Sequence, residues 1–484
     1  MVDRRPQVVS AVLVGVQLPE VTEAEFLSSL AELQRLVETL GHRTVGRVTQ
    51  RRNKLAPGVV LGDGKLRLLA RWTGGTGVVP SGATVKKRKI DRDDAAEGDP
   101  AAPDPQALEA AQADALAAPL DGPDSADGVD EDDGAEGEEE VGEKATLVVV
   151  DHEMTPTQLR NLQRATEAEV IDRTGVILEI FHRHARSREA RLQVEIARLG
   201  YLAPQLRETG GGDRQRGGIG GKGAGESSIE LDRRKIRDRI AELKRELDAI
   251  AHEQDVRRAR RQESLRVALV GYTNAGKSSL MRALTGSEVY VADKLFATLD
   301  TTVRPLFPES NPRILVSDTV GFIKKLPHDL VASFRSTLDE AREASLLLHV
   351  VDASDPAWRA QYEVTRQVLG EIDAGDIARR LVLNKCDRLS PEEREMLSVE
   401  EPDAWQVSAV DKESVARLRD TIVAAFEATM PELSYRITHA QARFIGELHS
   451  AGRVVSETWD DEGASFVIRA PAAAHARLGA LLAS

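Results

Sequence analysis

The chain has a single cysteine, Cys386, in 484 residues, and only 4% of its positions are Phe, Trp or Tyr. One thiol cannot build a disulfide framework, so a reducing, cytoplasmic setting is expected. No stretch approaches the ~20 consecutive apolar residues that a membrane-crossing helix needs. The apolar run from Val8 to Val16 is too short to span and lacks a signal-cleavage pattern, so it reads as a strand.

Basic charge is also scarce in one place. Residues 91–143 hold 20 acidic side chains and one Arg, with Ala, Pro and Gly in place of large apolar residues. Such a stretch cannot bury enough surface to fold, and it is expected to be a disordered insertion. Its net charge of −19 exceeds the −14 of the whole chain, so the remainder is about +5 and the overall acidity says little about partners. The opposite balance holds from Arg183 to Gln262, with 20 Lys and Arg against 13 Asp and Glu. Two helices are legible there, one on Leu192, Ile196, Leu199, Leu202 and Leu206, the other on Ile236, Ile240, Leu243, Leu247 and Ile250. The second set alternates steps of four and three, a coiled-coil seam. Between them, nine of the sixteen residues from Gly210 to Gly225 are Gly, with Arg214, Arg216 and Lys222 among the rest. An antiparallel hairpin with a flexible basic tip is expected. It is either a solvated spacer or a surface for nucleic-acid phosphates, read by shape and charge because no aromatic residues interleave the basic ones.

The residues that carry chemistry begin at Gly271-Tyr272-Thr273-Asn274-Ala275-Gly276-Lys277-Ser278, after the apolar run Leu265 to Val270 and before a helical pattern. Glycines at both ends let the backbone curl so that its N–H groups converge at the positive end of the next helix, where a polyphosphate can sit. Lys277 is placed to reach the β and γ phosphates and to act in catalysis, and the Ser278 hydroxyl to take one position on Mg²⁺. The base is read elsewhere, by Asn384-Lys385-Cys386-Asp387 after the strand Arg380 to Leu383. An Asp carboxylate there accepts two hydrogen bonds from guanine N1 and its 2-amino group, a pair of donors that adenine lacks. Asn384 would tie this loop to the phosphate loop and the Lys385 stem would cover the ring. Ser408-Ala409, with Val410 beside them, puts a backbone N–H where guanine O6 would lie. Together these residues predict binding of GTP and GDP.

Phe296-Ala297-Thr298-Leu299-Asp300 occupies the position of a first switch loop. A threonine there completes the Mg²⁺ shell only while the γ-phosphate is present; Thr298 is the expected ligand, with Thr302 the alternative. Asp318-Thr319-Val320-Gly321 follows the strand Arg313 to Ser317: Asp318 would hold Mg²⁺ through water and the Gly321 N–H would touch the γ-phosphate. Next comes Phe322, where many GTPases place the glutamine that orients the attacking water. Slow hydrolysis is expected until a partner completes the site. Asn274 could hold K⁺ beside the phosphates and neutralise charge in the transition state, or it could hold a switch.

The resulting layout is α/β, with alternating strands and helices implying a parallel sheet at the start. An N-terminal α/β domain is expected at 1–182, the hairpin at 183–263, a P-loop GTP-binding domain at 264–430 and a small α+β domain at 431–484 that contains a β-hairpin.

These motifs resemble the HflX family of ribosome-associated GTPases. The similarity covers most of the chain outside the acidic insertion. It rests on the phosphate loop, on Phe296 to Asp300, on Asp318-Thr-Val-Gly-Phe-Ile323 and on Leu326-Pro-His-Asp-Leu-Val-Ala-Ser-Phe-Arg-Ser-Thr-Leu-Asp-Glu340, with Thr155 to Leu162, Asp172 to Phe181, Leu192 to Ala197 and Glu230 to Arg237 upstream. Gly217 to Glu226 lacks the Arg and Pro that family members carry between the hairpin helices, and the insertion is not part of the shared pattern. What the resemblance implies is binding to the large ribosomal subunit through ribosomal RNA, separation of stalled or stressed ribosomes and GTP hydrolysis stimulated by ribosomes; a monomer is expected. Two other readings stay open: an RNA-binding adaptor that holds GTP structurally, and a signalling GTPase with a protein partner. Deleting residues 91–143 should leave melting temperature and nucleotide affinity nearly unchanged, and a large drop in melting temperature would show that the segment folds.

Overall fold

The computed structural model describes residues 8–79, 143–206, 228–259, 265–287, 295–296, 302–324 and 335–482. Nearly all of the acidic stretch, the glycine-rich tip and Ala297 to Asp300 lie outside the described residues. Among those described, no helix is long and apolar enough to cross a membrane.

The first sheet is wholly parallel, in the order β2 (Arg43–Arg51), β1 (Ser10–Gln17), β3 (Leu147–Val150), β4 (Glu169–Asp172). β1 is apolar on both faces because both are covered. Ala11 and Leu13 meet Leu33, Leu36 and Val37 of α1 (Glu23–Thr39) and Ile177 and Phe181 of α4 (Arg173–His184). Val12, Val14 and Val16 meet Leu66, Leu69 and Trp72 of α2 (Asp63–Thr73) and Leu162 of α3 (Pro156–Thr166). Thr22 and Thr155 start α1 and α3 with reciprocal caps, each side chain accepting from the third helical N–H while Glu25 or Gln158 reaches back. Gly46 on β2 is a packing requirement, since a Cβ there would lie 2.7 Å from the Trp72 ring.

α5 (Arg188–Gln205) and α6 (Ser228–Ala259) form the hairpin, their antiparallel sense fixed by Arg188–Glu246 and Arg239–Glu195 pairs at 2.9 and 3.1 Å. The covered positions of α6 from Leu231 to Ile250 include the expected seam, with Leu243 fully buried. On α5 the covered positions differ from the expected set. Ala190, Gln193, Val194 and Ala197 are buried beside Leu192, whereas Leu202 is exposed. Tyr201 anchors the hairpin by donating to Asp172 Oδ1 at 2.9 Å, at the end of β4.

The second sheet runs β10 (Trp405–Gln406), β9 (Arg379–Asn384), β8 (Leu346–Asp352), β5 (Leu265–Gly271), β7 (Ile314–Asp318), β6 (Thr302–Pro305), with β6 alone antiparallel. Its helices are α7 (Lys277–Thr285), α8 (Arg335–Arg342), α9 (Trp358–Glu371), α10 (Pro391–Glu400) and α11 (Lys412–Glu427). The third sheet is antiparallel, β11 (Glu432–Thr438), β13 (Gly463–Arg469), β12 (Arg453–Asp460), backed by α12 (Ile445–Ala451) and α13 (Ala472–Leu482). A 3₁₀ turn over His439–Phe444 leads into α12. β11 and α13 were not foreseen, nor was α4, whose short apolar run Val176 to Phe181 is buried except at Glu179 and is too short to tell helix from strand by period.

The first two sheets share one apolar cluster, in which Leu36 and Phe181 adjoin Ala268, Tyr272, Phe296 and Phe322. A polar cluster lies within it. The Arg173 guanidinium donates to Asp151 at 2.6 Å, to Glu32 at 3.3 Å and to the Ser29 carbonyl at 2.8 Å, and all four residues are buried. Removing the cation strands two carboxylates in the interior. Arg173→Ala should therefore cost about 3–5 kcal/mol, read as a lowered urea midpoint; a loss below about 1 kcal/mol, the scale of an exposed pair, would mean that the cluster is hydrated.

Candidate nucleotide-binding site

Between β5 and α7 the chain turns through Gly271 to Gly276. Asn274 and Gly276 have φ of 60° and 91°, so the loop doubles back on itself and presents its backbone to the start of α7. A side chain at Gly276 would put a Cβ 2.2 Å from Asn384 Nδ2, so only glycine fits. The Thr273 hydroxyl is buried with no hydrogen-bond partner, a polar atom held ready inside the loop. Lys277 is buried, its ammonium donating to the carbonyls of Gly271 at 3.0 Å and Tyr272 at 2.8 Å. Burial lowers its pKa to about 8 against the opposing pull of Asp318.

The Ser278 hydroxyl donates to Asp318 Oδ2 at 2.7 Å, bringing two hard oxygen donors together at the first turn of α7. That set suits Mg²⁺, which takes few protein ligands and completes its shell with water and phosphate. Among the described residues no group of three or more His, Cys, Asp or Glu could hold an ion by itself. Thr298 lies outside the described residues, while Thr302 stands on β6 directly opposite Asp318.

The base-reading residues converge on the same loop. Asn384 donates through Nδ2 to the Ala275 carbonyl at 2.8 Å and accepts at Oδ1 from the Ala409 N–H at 3.2 Å. Lys385 bridges the Asn274 carbonyl and Asp352, at 2.8 and 2.7 Å. Ser408 Oγ donates to Asp387 Oδ1 at 2.6 Å, fixing the carboxylate that would meet the base edge. Cys386 is buried, its thiol on the Leu383 carbonyl, and Val410 faces solvent at 80% exposure.

The switch segments are fastened to their surroundings. Phe296, at φ 56°, is buried with its ring edge-on to Phe181 at 4.5 Å, so only its backbone can face a nucleotide. Thr319 is buried, its hydroxyl donating to the Leu269 carbonyl at 2.8 Å, and Val320 is buried beside it. A Cβ at Gly321 would stand 3.0 Å from Lys277 Nζ. Phe322 has a buried side chain and a backbone paired both ways with the phosphate loop, Thr273 N–H to its carbonyl at 2.7 Å and its own N–H to Gly271 at 3.1 Å. Glu32, whose carboxylate receives the Tyr272 hydroxyl, and Asp352 were missed by the sequence reading. A signal for Glu32 existed: it falls between Leu30 and Leu33 on the covered face of α1.

Three family models match in chain order. Residues 27–79 and 106–182 match one described as GTP-binding GTPase N-terminal, 184–261 one described as GTP-binding GTPase Middle Region, and 266–385 one described as 50S ribosome-binding GTPase. A protein named GTPase HflX from Gluconacetobacter diazotrophicus is 55% identical over 100% of both chains. Another of that name from Escherichia coli is 40% identical over 68% of this chain and 78% of its own. Among solved structures, a GTP-binding protein from Sulfolobus solfataricus in complex with GDP is 20% identical, with a TM-score of 0.40 over 86% of this chain and 98% of its own.

If Lys277 holds the phosphates, as the sequence predicts, it does so as the ammonium, and a nucleotide would raise the amine's pKa by its negative charge. Affinity for GTP should therefore fall as pH rises through about 8, the sign set by a depressed lysine. Calorimetry in buffers of differing ionisation enthalpy should show proton uptake on binding at about pH 9 and little from this lysine at about pH 7; no uptake at either pH would refute the assignment.

Proposed function

The chain belongs to the HflX family of GTPases, and from that premise we propose that it binds the large ribosomal subunit through ribosomal RNA and separates stalled or stressed ribosomes, coupled to hydrolysis of GTP to GDP and phosphate. The observation that carries the reading is the outer face of the α5–α6 hairpin, where Arg234, Lys235, Arg237, Lys244 and Arg245 are all exposed. Exposed Asp238 lies among them, exposed Asp248 just beyond them, and Lys235 pairs with Asp232 at 3.0 Å, but cations in this number on a long helical arm suit a surface of phosphates and release counterions on contact. The description of the model matching 266–385, which names 50S binding, supports the same partner.

In this reading the phosphate-loop N–H groups and Lys277 hold the β and γ phosphates, Ser278 and Asp318 hold Mg²⁺ with Thr298 or Thr302, and Asp387 selects guanine. Bound Mg²⁺ would neutralise charge on the phosphates. Asp318 also accepts from Ser278, which keeps both oxygens aimed at one point. Phe322 cannot orient water, so a group must be supplied. The ribosome is one source. The exposed Asn274 side chain, holding K⁺, is the other.

Co-sedimentation with purified large subunits tests the partner. Binding should weaken steeply with salt, and Arg234→Glu with Lys235→Glu and Arg237→Glu should reduce both binding and the salt dependence. Phosphate release under multiple turnover should rise when ribosomes are added, and if Asn274 holds a cation it should be faster in potassium than in sodium. Salt-insensitive binding would favour a protein partner instead, and no stimulation by ribosomes would favour the adaptor.

A further inference from the structure

The phosphate loop has a partner outside its own sheet. The Tyr272 hydroxyl sits within 2.9 and 2.8 Å of the two carboxylate oxygens of Glu32 on α1, and it accepts the Lys324 N–H at 2.7 Å. One hydroxyl thus joins the phosphate loop, the chain just beyond Gly321 and the first sheet's helix. Both side chains are buried, Tyr272 3% exposed and Glu32 3%, and Lys324 is half-buried. Glu32 in turn is held by Arg173, which Asp151 at the end of β3 fixes in place.

The same helix reaches the other switch. Ser29, Glu32, Leu36 and Thr39 recur at helical spacing and are all buried. Thr39 Oγ1 accepts the N–H of Leu295 at 3.3 Å, next to Phe296, whose ring leans on Phe181 of α4. Seven residues apart, Glu32 and Thr39 therefore grip the two segments that flank the γ-phosphate position.

We propose that Glu32 is a positioning residue for GTP hydrolysis: by fixing the Tyr272 hydroxyl it sets where the Gly321 to Lys324 segment stands against the phosphate loop, and it makes that placement depend on α1. The inference rests on the nucleotide reading above for the role of Gly321 and supplies the route by which a partner of the first α/β unit would regulate the site. Two backbone hydrogen bonds through Phe322 fasten the segment at one point, and the Tyr272 hydroxyl fastens it two residues later. Without the second point the segment can pivot about the first. Contacts made by the phosphate-loop N–H groups stay as they are, so most of the ground-state binding is spared, while the Gly321 contact to the γ-phosphate, which counts for most as charge builds in the transition state, is lost.

The test needs no ribosomes, so its failure is distinguishable from failure of the ribosome reading. Tyr272→Phe removes the hydroxyl and keeps the ring in its apolar cluster. Its kcat for GTP should fall by about tenfold or more, the scale of a small misplacement at a reacting centre, with KM for GTP within about twofold of the parent. Glu32→Ala should do the same, the double variant should be no slower than either single one, and Glu32→Gln, which keeps an acceptor oxygen for the hydroxyl, should recover most of the rate. A merely structural role would lower melting temperature without splitting kcat from KM. If Glu32→Ala does not fold, Tyr272→Phe decides alone, and a folded Tyr272→Phe protein with parental kcat overturns the proposal.

Discussion

The nucleotide site depends on a loop kept in a backbone conformation that most side chains disfavour. Asn274, at φ 60°, pays a left-handed penalty of about 1 kcal/mol, less than a β-branched residue would. The hydrogen bonds that hold the loop arrive from outside it: Asn384 on Ala275, Lys385 on Asn274, and Phe322 on Gly271 and Thr273. At roughly 1 kcal/mol net each, four such bonds outweigh the strain several times over. The base-reading loop and the second switch are therefore supports of the phosphate loop as well as its neighbours, and a change in either is transmitted to it.

Much of this is legible in the sequence. The phosphate loop, the Asn384 to Asp387 signature and Asp318 announce themselves because their chemistry fixes residue type and spacing, and β1, β7, β9 and the seam of α6 because apolar runs or helical spacing mark them. α4 escaped because its apolar run, Val176 to Phe181, is short and rich in residues that suit a buried strand as well as a helix. β11 escaped for a different reason: Glu432 to Thr438 is mostly exposed and reads as polar loop. The Tyr272–Glu32 contact joins residues 240 positions apart and comes from how two sheets meet, which no local pattern records. What the sequence did show was an acid inside the apolar face of α1, a position where burial requires a partner.

The Arg173 cluster raises the question of why charge was placed in that interior at all. A buried ion pair rarely stabilises a fold more than apolar residues of the same volume, because removing two charges from water costs about as much as their attraction returns. Burial raises the pKa of Glu32, with Arg173 pulling the other way, so the carboxylate is held at some cost. What apolar residues could not supply is direction. Arg173, locked by Asp151 and the Ser29 carbonyl, leaves Glu32 one orientation, and that orientation points both of its oxygens at Tyr272.

Fastening a switch in this way has a consequence for its chemistry. Phe322 follows the glycine that would contact the γ-phosphate, yet its ring is in the shared apolar cluster and both of its backbone polar groups are engaged. Swinging it toward the nucleotide would break two hydrogen bonds, expose an aromatic ring and bring no group able to bond water. A glutamine at the same place would have to leave the cluster to act, and its amide would be costly to bury when it did not. The phenylalanine resolves that conflict in favour of a stable connection between the sheets. Under the proposed function hydrolysis would then depend on a group brought from outside, and the connection that excludes the glutamine is the same one through which a partner acting on the first unit could reach the phosphate loop.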